Sequence, residues 1–299
     1  MVTKERNGSG IHRVARMVNP NLEPLFPGGE ITTFQGRTKS YLIETYRSGS
    51  DYGFVRSVEG GYSLMNPEYQ GLVELARNLY GAVYPERARR NPELTTERIL
   101  KGLSYPRTIL MFALHEGIPV GHGIFPKLDI QGEPVLYSSR AFLAEHEREG
   151  LGTHVLERAI DLHRRESARA HRQLYNGMLM TQNWFSIRSL ENLKESGTIE
   201  TIQPIDGPYD AWGRHLLYGV HARVFVSSTA IEDSGLSRGE LREVGINEAA
   251  TRPEEGTRAW EIYQTMVLRP PDGAGLNIYN GDVLYVRFTF PRPVLIATA

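Results

Sequence analysis

Around residue 150 a run of charges meets a pair of glycines: Glu147-Arg148-Glu149-Gly150-Leu151-Gly152, followed by Thr153. Glycines at a helix start let the backbone approach a ligand closely. The first-turn N–H groups there lack intrahelical partners and carry the positive end of the helix dipole. Together they make a cradle for an anion such as a phosphate, with Arg148 adding a positive charge beside it. The helix that follows is legible: Leu151, Val155, Ala159 and Leu162 line one face, with Leu156 beside them. The run is not a P-loop, because no Gly-Lys-Ser/Thr follows. Nor is it a dinucleotide fingerprint, which needs a third glycine and an opening strand.

The elements that position this run can be read outward from it. Thr108 to Leu114, Pro119 to Phe125 and Glu133 to Leu143 read as three successive strands, the first two joined by a turn at His115-Glu116-Gly117. Before them, Asn66 and Pro67 open a helix whose apolar face is Leu72, Leu75, Ala76, Leu79 and Val83, and Pro85 ends it. The basic stretch Arg87 to Arg90 reads as a turn, and Thr95 to Leu103 as a second helix. Ile31 to Phe34 and Tyr41 to Tyr46 suggest a hairpin, and Tyr52 to Val58 another strand. After the glycine loop and its helix come a strand over Leu174 to Met180 and a helix over Asn183 to Glu195, with Gly197 as its stop. Leu216 to Ser227 has strand character. Residues 230–258 read as loop or short helix and Ala259 to Val267 as helical. Leu276 to Tyr279 and Asp282 to Phe290 flank the hairpin signal Asn280-Gly281.

Strand, two helices, three-strand meander, glycine loop, helix, strand and helix, taken from about Tyr52 to Ser227, form an order that resembles the GCN5-related N-acetyltransferase (GNAT) superfamily. That family writes its loop Gln/Arg-x-x-Gly-x-Gly/Ala, matched here by Glu147 to Gly152, and often places an Asn where Asn183 stands. The resemblance implies an α/β fold with a mixed, mostly antiparallel central sheet, helices on both faces and an extra β-rich C-terminal segment. It divides the chain into an extension (1–50), an acyl-CoA-binding core (51–229) and a C-terminal extension (230–299). It also implies an acyl-CoA co-substrate, acetyl-CoA first, with its diphosphate on Arg148, Glu149, Gly150, Leu151, Gly152 and Thr153. The pantetheine arm would run along Phe142, Leu143 and Ala144, with Asn183 touching it or fixing the gap between strands. A backbone N–H near Phe142 would polarise the thioester, and an amine acceptor would attack it directly in a ternary complex.

Glu147 stands where the family prefers Gln or Arg, and Glu145 and Glu149 flank it; carboxylates there repel a diphosphate unless they turn away. The family's tyrosine acid has no counterpart, since Leu190 and Leu193 occupy the nearest positions. Tyr175 is the expected substitute acid and Glu133 the expected base, with Tyr137 and Ser139 toward the acceptor. Arg87, Arg89 and Arg90 could meet an acidic substrate, and His115 and His122 are expected to face each other across a hairpin.

Composition excludes much else. With 34 Lys and Arg against 35 Asp and Glu, the net charge of -1 argues against nucleic-acid or anionic-membrane partners. Zero cysteine excludes disulfides, thiolate catalysis and Cys-based metal sites, and no histidine pattern suggests a metal. No apolar run reaches the ~18–20 residues of a spanning helix, and the first twenty residues hold no signal-peptide core, so a cytoplasmic location is expected. The expected function is N-acetyl transfer to a small-molecule or protein amine, with a homodimer among the expected assemblies. A non-catalytic acyl-CoA-binding or interaction protein on the same fold is the alternative.

Overall fold

The computed structural model describes residues 23–169, 173–181, 183–224, 231–237, 283–291 and a few positions between 255 and 264. Its elements run β1 (Glu30–Gln35), β2 (Ser40–Arg47), β3 (Val55–Val58), β4 (Gly61–Leu64), α1 (Gln70–Val83), α2 (Pro85–Arg90), α3 (Pro92–Ser104), β5 (Ile109–His115), β6 (Ile118–Phe125), β7 (Lys127–Ile130) and β8 (Glu133–Phe142). They continue with α4 (Leu151–Arg169), β9 (Asn176–Thr181), α5 (Trp184–Glu195), β10 (Thr201–Gln203), α6 (Ala211–Val224), β11 (Leu236–Ser237) and β12 (Val283–Thr289). Short 3-10 turns precede α1 and α4, at Pro67–Tyr69 and Ala144–Glu149.

One large sheet has the order β1-β2-β5-β6-β8-β9-β12-β10, with β7 and β11 pairing at β8 and β12. Every pairing in it is antiparallel except β8 with β9. That parallel seam is short, running only from Val135↔Asn176 to Ser138↔Leu179. On one face α4 and α5 bury Val155, Ala159, Ile187 and Leu190 against Ile43, Met111 and Leu136. On the other, α1 and α3 cover Leu110, Phe112 and Ile124, while α6 covers Val135, Met178 and Tyr285. The result is helix layers on both sides of a mostly antiparallel sheet, the fold class expected from the sequence.

Local chemistry sets the element ends. Asn66 Oδ1 accepts from Glu68 N at 3.0 Å, and Asn183 Oδ1 accepts from Phe185 N at 2.9 Å to cap α5. At the other end of α5, Gly197 takes φ +75, and Thr198 N donates to Leu193 O at 2.9 Å. This is the left-handed stop a glycine permits.

Several expectations change. The strand beside the meander is β2, not Tyr52 to Val58, whose end instead pairs with β4 in a separate two-stranded sheet. Residues 211–224 are helical, not extended. Leu216, Leu217 and Val220 recur at helical spacing and are all buried against the sheet, a signal its aromatic and β-branched neighbours hide. Arg87 to Arg90 belong to a helix rather than a turn. β7 was not anticipated; it folds back onto β8 through Gln131 and Gly132, both at positive φ. Sheet strands come from all three of the segments into which the resemblance divides the chain. Leu276 to Tyr279, Asn280-Gly281 and most of 238–267 lie outside the described residues.

Candidate active site

The seam explains where a ligand can enter. Tyr137 N donates to Pro126 O at 3.0 Å and Leu143 N to Val120 O at 2.9 Å, so odd-numbered residues of β8 turn their backbone groups toward the β6 side. Arg140 and Phe142 therefore turn theirs toward β9, by the alternation of a strand. β9 pairs no farther than Leu179, so these N–H groups face an opening. A cavity of ≈ 490 Å³ fills the opening. It passes from the glycine loop and α5 on one side of the sheet to Tyr80, Tyr84 and Arg87 on the other.

Gly150 takes φ +86 at the end of the 3-10 turn, and α4 starts at the next residue. A Cβ placed on Gly152 would lie 3.3 Å from Ser189 Oγ and 3.4 Å from Arg140 Nη1, so little room remains there for a side chain. Arg140 donates to the Gly152 carbonyl, fixing the first turn of α4 against β8. Burial pushes the Arg140 guanidinium down to about 10, still charged at neutral pH. Arg148 sits exposed at the rim, its guanidinium carbon 6.0 Å from the Phe185 ring centre. The Trp184 and Phe185 rings lie against each other, tilted by 31° with centroids 3.7 Å apart.

The acidic flank of the loop resolves into separate roles. Glu149 points away from the cavity: its carboxylate accepts from Thr38 N at 2.8 Å, from Lys39 N at 3.2 Å and from the Thr38 hydroxyl. Those bonds, the hydroxyl's first, hold it below the usual carboxylate range. They also pin the β1–β2 turn to the cradle, and from that turn Arg37 reaches the cavity wall. Glu145 is exposed, and its carbonyl accepts from Lys39 Nζ at 3.0 Å. Glu147 alone faces the cavity. Burial raises its pKa to about 7, against the pull of Arg148. Tyr84, pushed up to about 12 chiefly by burial, feels the Glu147 charge as well.

Of the residues expected to hold an acyl-CoA, Phe142, Arg148, Gly150, Gly152, Thr153 and Asn183 line the cavity. Leu151 is fully buried in the core and offers only its backbone. Leu143 has its N–H committed to Val120, Ala144 is exposed beyond the strand, and Glu149 faces the hairpin. Asn183 sits at the rim as a helix cap.

The expected acid and base are both misplaced. Glu133 starts β8, about 17 Å from Ser138 at the strand rise of ~3.3 Å per residue. It accepts from Asn176 Nδ2 at 2.7 Å, and Arg287 Nε in turn donates to Asn176 Oδ1 at 2.9 Å. Tyr175 precedes β9 at the same closed end of the seam, where its carbonyl accepts from Phe290 N. His115 and His122 also fail to meet. His115 pairs with Ile118 beside Tyr41 and His146, while His122 pairs with Phe112 beneath α1. Arg89 and Arg90 pair with Glu86. Tyr137 and Ser139 do line the cavity.

Nothing in the sequence signals that Glu147 turns into the cavity, because only the fold shows its burial. Sequence reasoning also missed Arg37, Tyr80 and Tyr84, which reach the site from the β1–β2 turn and from the C-terminal end of α1. Among the described residues, no group of three His, Asp or Glu side chains could hold a metal ion, and no helix is long and apolar enough to cross a membrane.

No family model and no curated protein matches the chain. Solved structures that are similar to parts of it include an acetyltransferase of the GNAT family from Streptococcus pneumoniae, at 22% identity over 32% of this chain and TM-score 0.24. The chain spans only 55% of that protein. Tetrahymena GCN5 gives 15% identity over 49% of this chain and 78% of its own, with TM-score 0.30. The yncA protein from Salmonella typhimurium, solved with its cofactor acetyl-CoA, gives 19% identity over 46% of this chain and 79% of its own, with TM-score 0.26. Likenesses this partial carry no weight alone. What characterises the architecture is its own topology: a mostly antiparallel sheet with one parallel seam that opens beside a glycine cradle.

Proposed function

We propose that the protein is an N-acyltransferase that moves an acetyl group from acetyl-CoA, or a related acyl group, to an amine. The observation that carries this reading is the open seam, where backbone donors of β8 face a gap beside the glycine start of α4. Such a gap fits a ligand with an extended amide-bearing arm and an anionic end. The arm takes the place of a strand along Arg140 and Phe142, and the anion rests on the N–H groups from Gly150 to Thr153. Arg37 and Arg148 supply positive charge at that end. An N–H aimed into this cavity also suits a thioester carbonyl that gains negative charge as it is attacked.

The acceptor amine must lose a proton, and Glu147 is the carboxylate placed to take it. Protonation of the leaving thiolate falls to a tyrosine of the cavity. Tyr80, whose pKa is lowered despite full burial because Arg87 and Arg98 stand beside it, is the best suited.

Titration of the purified chain with acetyl-CoA and with CoA by calorimetry tests the site. Micromolar affinity is expected for the natural chain, with none measurable for Gly152→Glu while its circular dichroism is retained. A side chain and a negative charge would then fill the cradle. Undiminished affinity in that variant would remove the cradle from the proposal. Binding without turnover of any amine would favour the non-catalytic alternative.

A further inference from the structure

Ser138 stands at the fork of the sheet. It is the last residue of β8 to pair with β9, opposite Leu179, and it lines the main cavity. Alternation along the strand puts its side chain on the face of Leu136, which packs beneath α4 and α5, and Leu179 is buried in the same core. The residue is only 3% exposed, and its hydroxyl oxygen has no hydrogen-bond partner. Other hydroxyls around the cavity are committed. Ser189 Oγ donates to the Phe185 carbonyl at 3.0 Å, and Thr181 Oγ1 donates to the Asn183 carbonyl at 2.9 Å.

A buried hydroxyl without a partner costs folding free energy that an alanine in its place would not. Beside Leu136 and Leu179, packing gives no reason to keep a hydroxyl, whereas a ligand atom does. The proposed acyl-CoA sets which atom that is. Its anionic end rests near Gly152, whose carbonyl accepts from Arg140 on β8. Its arm runs from there along Phe142 and Arg140 toward the fork. Ser138 lies about 13 Å from Phe142 along the strand, by the usual rise per residue. The acyl end of the arm therefore meets Ser138. There the acyl oxygen is the strongest acceptor, since a thioester sulfur accepts only weakly.

We infer that Ser138 is a catalytic residue whose hydroxyl donates a hydrogen bond to the acyl oxygen, together with a backbone N–H of β8. The inference rests on the transferase reading above and deepens it. The bond is an ordinary one to the resting thioester and strengthens as the oxygen gains negative charge. The serine proton is not transferred. The C–N bond forms and the C–S bond breaks while Glu147 takes the amine proton and the cavity tyrosine protonates the thiolate.

Ser138→Ala tests this in three readings. In melting of the ligand-free chain, the variant should match or exceed the natural Tm, because it loses no bond. By calorimetry, the natural chain should bind acetyl-CoA at least threefold more tightly than CoA. The variant should lose that preference while its Kd for CoA stays within twofold. In a thiol-release assay with a panel of amines, its kcat should fall at least tenfold. A merely structural serine would lower Tm and leave the acetyl preference in place. A Tm lower by more than about 3 °C, a preference absent from the natural chain or kept in the variant, or a smaller fall in kcat would each overturn the inference. If no amine turns over, melting and the acetyl preference decide it between them. Failure of the natural chain to bind either acetyl-CoA or CoA would strike the transferase reading, and this inference with it.

Discussion

A carboxyl group beside Arg148 still resists ionisation when burial outweighs the attraction of that charge, and Glu147 does so up to about pH 7. Acting as a base, it works only when ionised, so the rate should climb with pH through 7. Glu147→Gln should lower kcat by ~100-fold, flatten that limb and leave the Kd for CoA unchanged. Stability runs the opposite way. The folded state holds this proton up to a higher pH than the unfolded chain does, so its contribution is complete below about pH 4.5 and is lost as pH rises through 7. The Gln variant should therefore melt higher than the natural chain at pH 8 and alike at pH 4. Melting curves at the two pH values check this, and a gain of the same size at both would rule it out. None of this was visible in the residue types. Glu147 was legible as an acid in the loop, but which of three neighbouring acids turned inward depends on partners over a hundred residues away.

At the scale of elements, what repeats locally was legible and what pairs at long range was not. The spacing of Leu72, Ala76 and Leu79, the cap at Asn183 and the stop at Gly197 are local facts, and each element formed as read. The α6 segment misled because Leu216, Leu217 and Val220 sit among residues that favour strands. The cradle was legible as a loop and a helix start, whereas its hairpin partner was not, since nothing near Gly36 or Thr38 names Glu149. That clamp makes the β1–β2 turn a working part of the site. Glu149→Ala should free the turn and weaken CoA binding roughly fivefold or more, with two backbone amides losing a charged acceptor. Arg37→Ala should cost a similar factor alone but little further on the Glu149→Ala background, because both changes remove the same placement. Calorimetry on the four proteins of that cycle decides it; independent, additive losses would mean that Arg37 does not depend on the clamp.

Among the described residues, burial pushes the pKa of His122, His154 and His163 down to about 4 and lowers that of His146 as well. His122 lies beneath α1 with neither ring nitrogen partnered. His154 stacks on Phe34 at 4.2 Å. His163 is fully buried, with Nε2 bonded to the Phe125 carbonyl at 2.9 Å. The unfolded chain protonates these rings near pH 6.5, so their contribution is complete above that value and is lost as pH falls toward 4, with up to about three protons taken up on unfolding. Glu149, a carboxylate held below its usual range, adds to the loss as acid rises further. A Tm that falls steeply between pH 6.5 and 4.5 is expected, and a flat profile would contradict it. The bond from Glu149 to Thr38 also has a consequence in time. The hairpin is made before its sheet neighbour β5 and before its clamp, which lies 111 residues along for the pair Thr38 and Glu149, and β12 follows later still. Contacts so distant in sequence form late and slowly. A nascent chain thus cannot assemble the proposed acyl-CoA site until α5 has been made, so a ligand there can stabilise the folded sheet but cannot guide the hairpin that precedes it.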